Sequence, residues 1–248
     1  YCKYLPMNVL NRNISNVFFI FVLSHLIVWT LVPSITNNNL PLDTIEALAW
    51  GSNLDWGFSK HPPMSAFFSE VFYKIFGAQD WAYYLLSQIF VLVAFYYVFK
   101  FANEILDSIS LALISILLLS SIYFYNFTTP EFNVNVCQLP FWSMVVYYSW
   151  RIYDSKEIKL SDCLLVGIFA AIGFLSKYLF IYLLISIDLL FIYLIFFKKT
   201  KKFDFKYLIT IEVFLVLLVP HFIWLYDNEF VTIFYGLKRT GLEESVIF

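Results

Sequence analysis

Seven long runs of apolar residues constrain the fold of this chain more than any other feature. They cover residues 17–36, 81–101, 108–126, 133–153, 161–176, 178–197 and 206–226. A helix needs about 20 apolar residues to cross the hydrocarbon core of a bilayer, so each run predicts a membrane-spanning helix. Only Lys177 separates the fifth and sixth runs, and we predict two helices there because together they greatly exceed one span.

The composition supports the same conclusion. Only 14% of the residues are charged and 61% are hydrophobic, which excludes an ordinary soluble domain. The sequence therefore predicts an all-α integral membrane protein, with residues 1–248 forming a single polytopic transmembrane domain in contact with membrane lipids. A net charge of −2 gives no indication of a nucleic-acid partner. Because the first residue is Tyr rather than Met and the chain ends within a polar segment, we expect the N-terminal part of a longer chain.

The distribution of basic residues predicts the orientation in the membrane. Cytoplasmic loops carry an excess of Lys and Arg. With the N-terminus in the cytoplasm, 11 of the 16 basic residues lie inside, namely Lys3, Arg12, Lys100, Arg151, Lys156, Lys159, Lys198, Lys199, Lys201, Lys202 and Lys206. This orientation predicts that residues 37–80 and 127–132 lie outside, and that residues 154–160 and 198–205 lie inside.

The first outside loop, residues 37–80, is expected to contain two short surface helices. In "DTIEALAWG" (43–51), Asp43 is a suitable N-cap residue, Glu46 completes a capping box, and Gly51 is a suitable residue to end the helix. A second, amphipathic helix is predicted over residues 63–76. Its apolar stripe consists of residues 64, 67, 68, 71, 72, 75 and 76, and its polar face of Ser65, Ser69, Glu70, Tyr73 and Lys74. It is too short to span, so we expect it to lie in the outer interface with its polar face in water.

Several ionisable side chains are predicted at the outer interface, where a lipid phosphate would lie. The candidates for a functional site are Asp43, Glu46, Lys60, His61, Glu131, Lys177 and His221. Each also has a purely structural interpretation. Asp43 could only cap a helix, Lys60 could only extend its charge to the interface, and His221 could be an interior histidine satisfied by neighbours. Their common side of the membrane is what favours a functional site.

The first outside loop, "LPLDTIEALAWGSNLDWGFSKHPPMSAFF", resembles that of bacterial polytopic glycosyltransferases of the protein O-mannosyltransferase and aminoarabinose transferase superfamily, which is the GT-C class. The shared pattern is an acid, an aromatic helix, and a basic residue before Pro-Pro. The later segments "TTPEFNVNV", "GFLSKYLF" and "LLVPHFIWLYDNEF" are similar to further family segments. The resemblance covers about residues 17–235, and full-length family members have more helices and a C-terminal outside portion.

The resemblance implies a transferase that takes a sugar from a polyprenyl-phosphate donor and gives it to lipid A, a glycan or a protein. It implies a bacterial inner-membrane location with the site facing the periplasm. Asp43 and Glu131 would be the catalytic acids, although the family's adjacent Glu is Thr44 here. The substrate-binding candidates are Lys60, His61, Lys177, Glu46 and His221. No residue is assigned to a metal, and a divalent ion between the two acids is left open.

A different function remains open from the sequence. A lipid-carrier flippase or transporter would need functional polar residues near the middle of the bilayer. Asp188 and Glu212 lie within predicted spans and offer a little of this, but two acids cannot neutralise each other. A structural membrane subunit would leave the cluster of the first loop unexplained.

Overall fold

The computed structural model describes the backbone of residues 7–239 and the side chains of residues 13–239, and this part of the chain is all-α, as predicted. Its helices are α1 (Met7–Thr36), α2 (Leu42–Gly51), α3 (Met64–Phe76), α4 (Asp80–Leu106), α5 (Ile109–Ser120), α6 (Val134–Asp154), α7 (Leu160–Ser176), α8 (Ile181–Ile192), α9 (Lys206–Asp227) and α10 (Val231–Arg239). π-Helical turns follow at Phe124–Thr128 and Tyr193–Phe197, and a 3-10 turn lies at Tyr178–Phe180. The predicted positions of Lys3 and the Arg12 side chain lie outside the described residues.

A helix occupies each of the seven predicted spans, but these helices differ in length and composition. Four segments of the described chain are long and apolar enough to cross a membrane: Asn13–Thr36, Asp80–Leu106, Tyr178–Phe197 and Lys206–Asp227. Helices α5 and α7 are apolar but shorter. Helix α6 has 21 residues, which is a spanning length, yet it carries Asn135 and Gln138 because much of its surface is buried between other helices.

The predicted break at Lys177 is confirmed. Lys177 ends α7 with an extended backbone (φ −160°, ψ 130°), and the chain then turns through Tyr178–Phe180 into α8. Two helices therefore replace the single hydrophobic block that the sequence also allowed.

The core of the bundle is a row of packed helices. Helix α4 packs against α1, α5 and α6, α6 packs against α7, and α7 packs against α9. Large aromatic side chains such as Phe95, Phe132 and Phe180 are fully buried between them. Helix α7 approaches α9 closely at Gly167, where an added Cβ would lie 2.7 Å from the carbonyl oxygen of Thr210.

The connections between helices gather at two opposite ends of the bundle. At one end, which we call the lysine end, Arg151 pairs with Asp162 at 3.4 Å, and Lys206 donates to the carbonyl oxygen of Ile158 at 2.8 Å. At the other end, which we call the loop end, residues 37–79, 121–133, 177 and 228–239 meet. The residues predicted inside and outside thus lie at opposite ends. Which end faces the cytoplasm stays a prediction from the charge distribution.

The start of α2 differs from the prediction that Asp43 is its N-cap. The helix begins at Leu42 with Pro41 in the cap position, and no side chain of the helix itself caps it. Asp43 lies in the first turn, and Glu46 forms no capping box because it pairs elsewhere. Gly51 is the last helical residue rather than the residue after it, and it allows close packing, because an added Cβ would lie 2.8 Å from the carbonyl oxygen of Ala66 in α3.

The polar face of α3 is also placed differently from the prediction. Ser65, Ser69 and Glu70 are buried, with Glu70 only 9% exposed, because α2 packs over this face. On the apolar side, Val71 and Ile75 are exposed. The expectation that Glu70 lies in water is therefore wrong. Helix α3 is covered by α2 on its polar side and leaves part of its apolar stripe uncovered.

Candidate functional site

Two acids from different segments of the loop end, residues 37–79 and 121–133, meet at the N-terminus of α2. The Glu131 carboxylate accepts a hydrogen bond from the backbone N–H of Asp43 at 3.2 Å, although the two residues are 88 positions apart. Beside it, the Thr44 hydroxyl donates to the carbonyl oxygen of Phe132 at 3.1 Å. Helix N-termini leave backbone N–H groups without partners, so Glu131 takes the capping role that the sequence assigned to Asp43.

The surroundings of the two carboxylates differ. Glu131 is half-buried, and burial is the main cause that raises its pKa above the ordinary value. The nearby negative charge of Asp43 raises this pKa further, while hydrogen bonds from the Asp43 N–H and from Asn133 partly oppose the rise. Asp43 is exposed, and its carboxylate accepts no hydrogen bond from the part of the chain that the structure describes. Asp43 is thus the acid whose carboxylate is open to a hydrogen-bond donor from another molecule.

Two basic candidates, Lys60 and His61, lie on the segment that leads into α3. Lys60 pairs with Glu46 of α2, and this hydrogen bond is the main cause that raises the pKa of Lys60. His61 is half-buried, and burial lowers its pKa. The charges of Glu46, Lys177, Asp43 and Lys60 all act on His61, so these side chains lie within electrostatic range of one ring. The ring also meets Trp50 edge-on, with 5.9 Å between ring centroids.

Lys177 brings a third basic side chain from the end of α7. It is half-buried, its ammonium group donates to the side-chain carbonyl of Asn135, and burial lowers its pKa. The positive charge of Arg239, at the end of α10, lowers this pKa further. Sequence reasoning did not identify Asn135. Its place in "FNVNV", directly after the acid of the second loop and within the first turn of α6, is the signal that could have found it.

His221 lies behind the site rather than in it. Its ring is fully buried, with Nδ1 2.6 Å from the carbonyl oxygen of Trp56 and Nε2 2.7 Å from the hydroxyl of Tyr178. A carbonyl oxygen can only accept, so Nδ1 carries the proton and donates to Trp56. His221 therefore joins the first loop to the residue after Lys177. Its predicted substrate contact stays a prediction, and the observed geometry favours a supporting role.

Further contacts that the sequence did not reveal hold the first loop in place. Gly57 lies against the ring of Trp224, and an added Cβ would come within 2.2 Å of that ring. The Thr232 hydroxyl of α10 donates to the carbonyl oxygen of Phe58 at 2.6 Å. These contacts join residues more than 160 positions apart, so no local pattern indicates them. They fix the segment that carries Lys60 and His61.

The two acids fit a metal ion poorly. In residues 13–239, no three His, Cys, Asp or Glu side chains are grouped so that they could ligate a metal. Divalent ions such as Ca²⁺ prefer six or more oxygen ligands, and one Glu131 oxygen already accepts the Asp43 N–H. We therefore propose no reaction step that uses a metal ion.

Comparison with known proteins identifies one family. Residues 60–224 of this 248-residue chain match the family model described as dolichyl-phosphate-mannose-protein mannosyltransferase. The match confirms the predicted resemblance and includes Lys60, His61, Glu131, Lys177 and His221, whereas Asp43 and Glu46 precede it. Searches among curated proteins and among solved structures found no significant match.

Proposed function

The chain belongs to the dolichyl-phosphate-mannose-protein mannosyltransferase family, and we propose that it transfers a sugar from a polyprenyl-phosphate donor to an acceptor outside the cytoplasm. It is a multi-pass membrane glycosyltransferase of the GT-C type. The observation that best supports the proposed site is the meeting of two acids and three basic side chains at the loop end. They come from α2, from the two outside loops and from the end of α7.

The cations are suited to hold the donor phosphate. The charges of Lys60 and Lys177 both act on His61, and His61 and Lys177 are half-buried, so burial lowers the pKa of each. A phosphate between them would favour their charged forms and accept charge-assisted hydrogen bonds from them. Lys60 and Lys177 already have partners in Glu46 and Asn135, so donor binding exchanges these contacts for contacts with phosphate.

The acids are suited to activate the acceptor. Asp43 takes the proton of the acceptor hydroxyl as the general base, and the acceptor oxygen attacks the anomeric carbon. The bond from that carbon to the phosphate oxygen breaks, and its electron pair leaves with the polyprenyl phosphate. The cations stabilise the charge that develops on this phosphate. Glu131 holds the N-terminus of α2 and thereby orients Asp43.

The proposed location is a bacterial inner membrane with the loop end facing the periplasm. The excess of basic residues at the lysine end supports this orientation. Lipid-linked sugars serve reactions outside the cytoplasm, where nucleotide sugars are absent. The proposed acceptor is lipid A, a glycan or a protein.

The test is Asp43→Asn in the full-length protein, with sugar transfer measured in detergent. Asp43 caps nothing with its side chain, so the substitution should lower stability by at most about 1 kcal/mol through the lost helix-dipole interaction. Loss of a general base should reduce turnover by about 10²–10⁴-fold.

The matched control is Asp55→Asn, since Asp55 is an exposed acid of the same loop whose carboxylate only accepts its neighbour's N–H. Its turnover should be unchanged. Near-normal turnover of Asp43→Asn would remove Asp43 from the catalytic role. Lipid movement without any sugar transfer by the unmodified protein would favour the flippase instead.

A further inference from the structure

A groove next to the two acids is not used by the donor site described above. It has a volume of about 490 Å³ and lies between the last two turns of α1 and the second outside loop. One wall consists of Trp29, Val32, Pro33 and Thr36 of α1, and the opposite wall includes Phe127 and Glu131 of the loop. This volume is typical of a small-molecule site.

The groove runs along the axis of a membrane-spanning helix. The α1 residues at positions 29, 32, 33 and 36 follow the spacing i, i+3, i+4, i+7, which is a stripe along one helix face. Such a stripe extends about 10 Å along the helix at 1.5 Å per residue. One end lies at Glu131, beside Asp43. The other end lies at Trp29 and Phe127, whose rings meet edge-on at 5.2 Å.

The charges at the groove do not suit the donor. Among the described residues that line the groove, Glu131 carries a charge and none is Lys or Arg. A phosphate placed there would be repelled by the two acids, whereas Lys60, His61 and Lys177 offer it positive charge elsewhere. A neutral hydroxyl, in contrast, could donate to a carboxylate at this end of the groove.

We propose that this groove holds the acceptor, and that the acceptor is a lipid with a hydroxyl-bearing head group. The inference rests on the proposed function, because it assigns the second substrate of the same site. The head lies at Glu131 and Asp43, where its hydroxyl loses a proton to Asp43 and attacks the anomeric carbon. The apolar part lies against Val32, Trp29 and Phe127 and continues into the bilayer. A peptide or a free glycan would fill only the polar end.

The first experiment identifies the chemical class of the acceptor. Cells that lack the gene are complemented with the full-length protein or with its Asp43→Asn variant, and their lipid, protein and glycan fractions are compared by mass spectrometry. We expect a sugar-bearing species in the lipid fraction that only the active protein restores. A restored species in the protein or free-glycan fraction overturns the lipid acceptor while leaving the transferase intact. No difference in any fraction overturns the proposed function and this inference with it.

The second experiment tests the groove itself. Val32→Trp fills the groove from α1, and Leu31→Trp is the matched control, since the two residues are neighbours with exposures of 48% and 51% and Leu31 does not line the groove. A hydrophobic pocket that loses room for a single methylene already discriminates by roughly 10–200-fold. Val32→Trp should therefore lower the yield of the modified lipid at least about tenfold, at equal membrane levels of protein.

The donor side provides the internal control for this variant. Val32→Trp should leave binding of the polyprenyl-phosphate donor unchanged, because the cations lie outside the groove. An unchanged yield of modified lipid in Val32→Trp, or an equal loss in Leu31→Trp, overturns the assignment of the groove.

Discussion

Replacing His221 by Phe should both destabilise the protein and loosen the donor site. The ring is fully buried and bonds to the carbonyl oxygen of Trp56 and to the hydroxyl of Tyr178. Phe fills similar space but offers no polar atom, so both partners lose a hydrogen bond at once. A group left unsatisfied in a buried place costs about 1–3 kcal/mol. The imidazole no longer has to be buried, which offsets part of the loss, and we expect a net cost of about 2–4 kcal/mol.

The functional effect follows from where the two partners lie. Trp56 belongs to the segment that carries Lys60 and His61, and Tyr178 directly follows Lys177. Losing the link should let these cations separate, so the KM for the donor should rise while the KM for the acceptor stays constant. The assay is sugar transfer with each substrate varied in turn, beside a thermal melt in the same detergent.

A second variant separates the effects of the two hydrogen bonds of His221. His221→Asn places an amide N–H where Nδ1 lies, so it keeps the bond to Trp56 and loses the one to Tyr178. Its melting temperature and donor KM should lie between those of the unmodified protein and His221→Phe. Equal melting temperatures for all three proteins, together with an unchanged donor KM, would refute the linking role of His221.

Three further predictions test other parts of the site. Gly57→Ala should cost about 1–3 kcal/mol, because its Cβ would come within 2.2 Å of the Trp224 ring, and a melt would show this; an unchanged melting temperature would contradict the packing. Burial raises the pKa of Glu131 above its ordinary value of 4.5, so the folded state favours the protonated form. The resulting contribution to the free energy of unfolding is fully present below pH 4.5 and is lost as the pH rises through the raised pKa. Chemical unfolding at a series of pH values should therefore show the free energy of unfolding falling over this interval, and Glu131→Gln should abolish that fall. Lys177→Ala should weaken donor binding more than acceptor binding, while Lys74→Ala, the control at an exposed position on α3, should change neither; unaltered donor affinity in Lys177→Ala would remove its phosphate role.

Local patterns predicted the helices well because each depends on its own residues. The apolar runs are long enough to require helices, and the polar Lys177 correctly marked the break between α7 and α8. The two short helices of the first loop also followed from spacing, to within a few residues. Local patterns did not predict that α2 packs on α3. This packing buries Glu70, and it requires the absence of a side chain at Gly51.

The contacts of the candidate residues were harder to predict than their common location. The acids and cations were chosen because they share one side of the membrane, and the structure brings them to one end of the bundle. The sequence did not predict which residues these side chains contact. Glu131 contacts Asp43, which is 88 positions away, and Lys177 contacts Asn135, which is 42 positions away. Contacts at such separation depend on how the helices pack, and a single sequence shows only which residues are available.

The long contacts of the first loop set the order in which the site can form during synthesis. The first loop leaves the ribosome before Glu131 exists, so the N-terminus of α2 stays without its cap until residues 121–133 have been made and have packed against it. The segment around Trp56 waits longer, until α9 delivers His221. A chain that stops within residues 198–205 should therefore insert its early helices and leave this segment open to added protease. A chain that extends through Asp227 should protect it, so that the site closes only once α9 has been inserted.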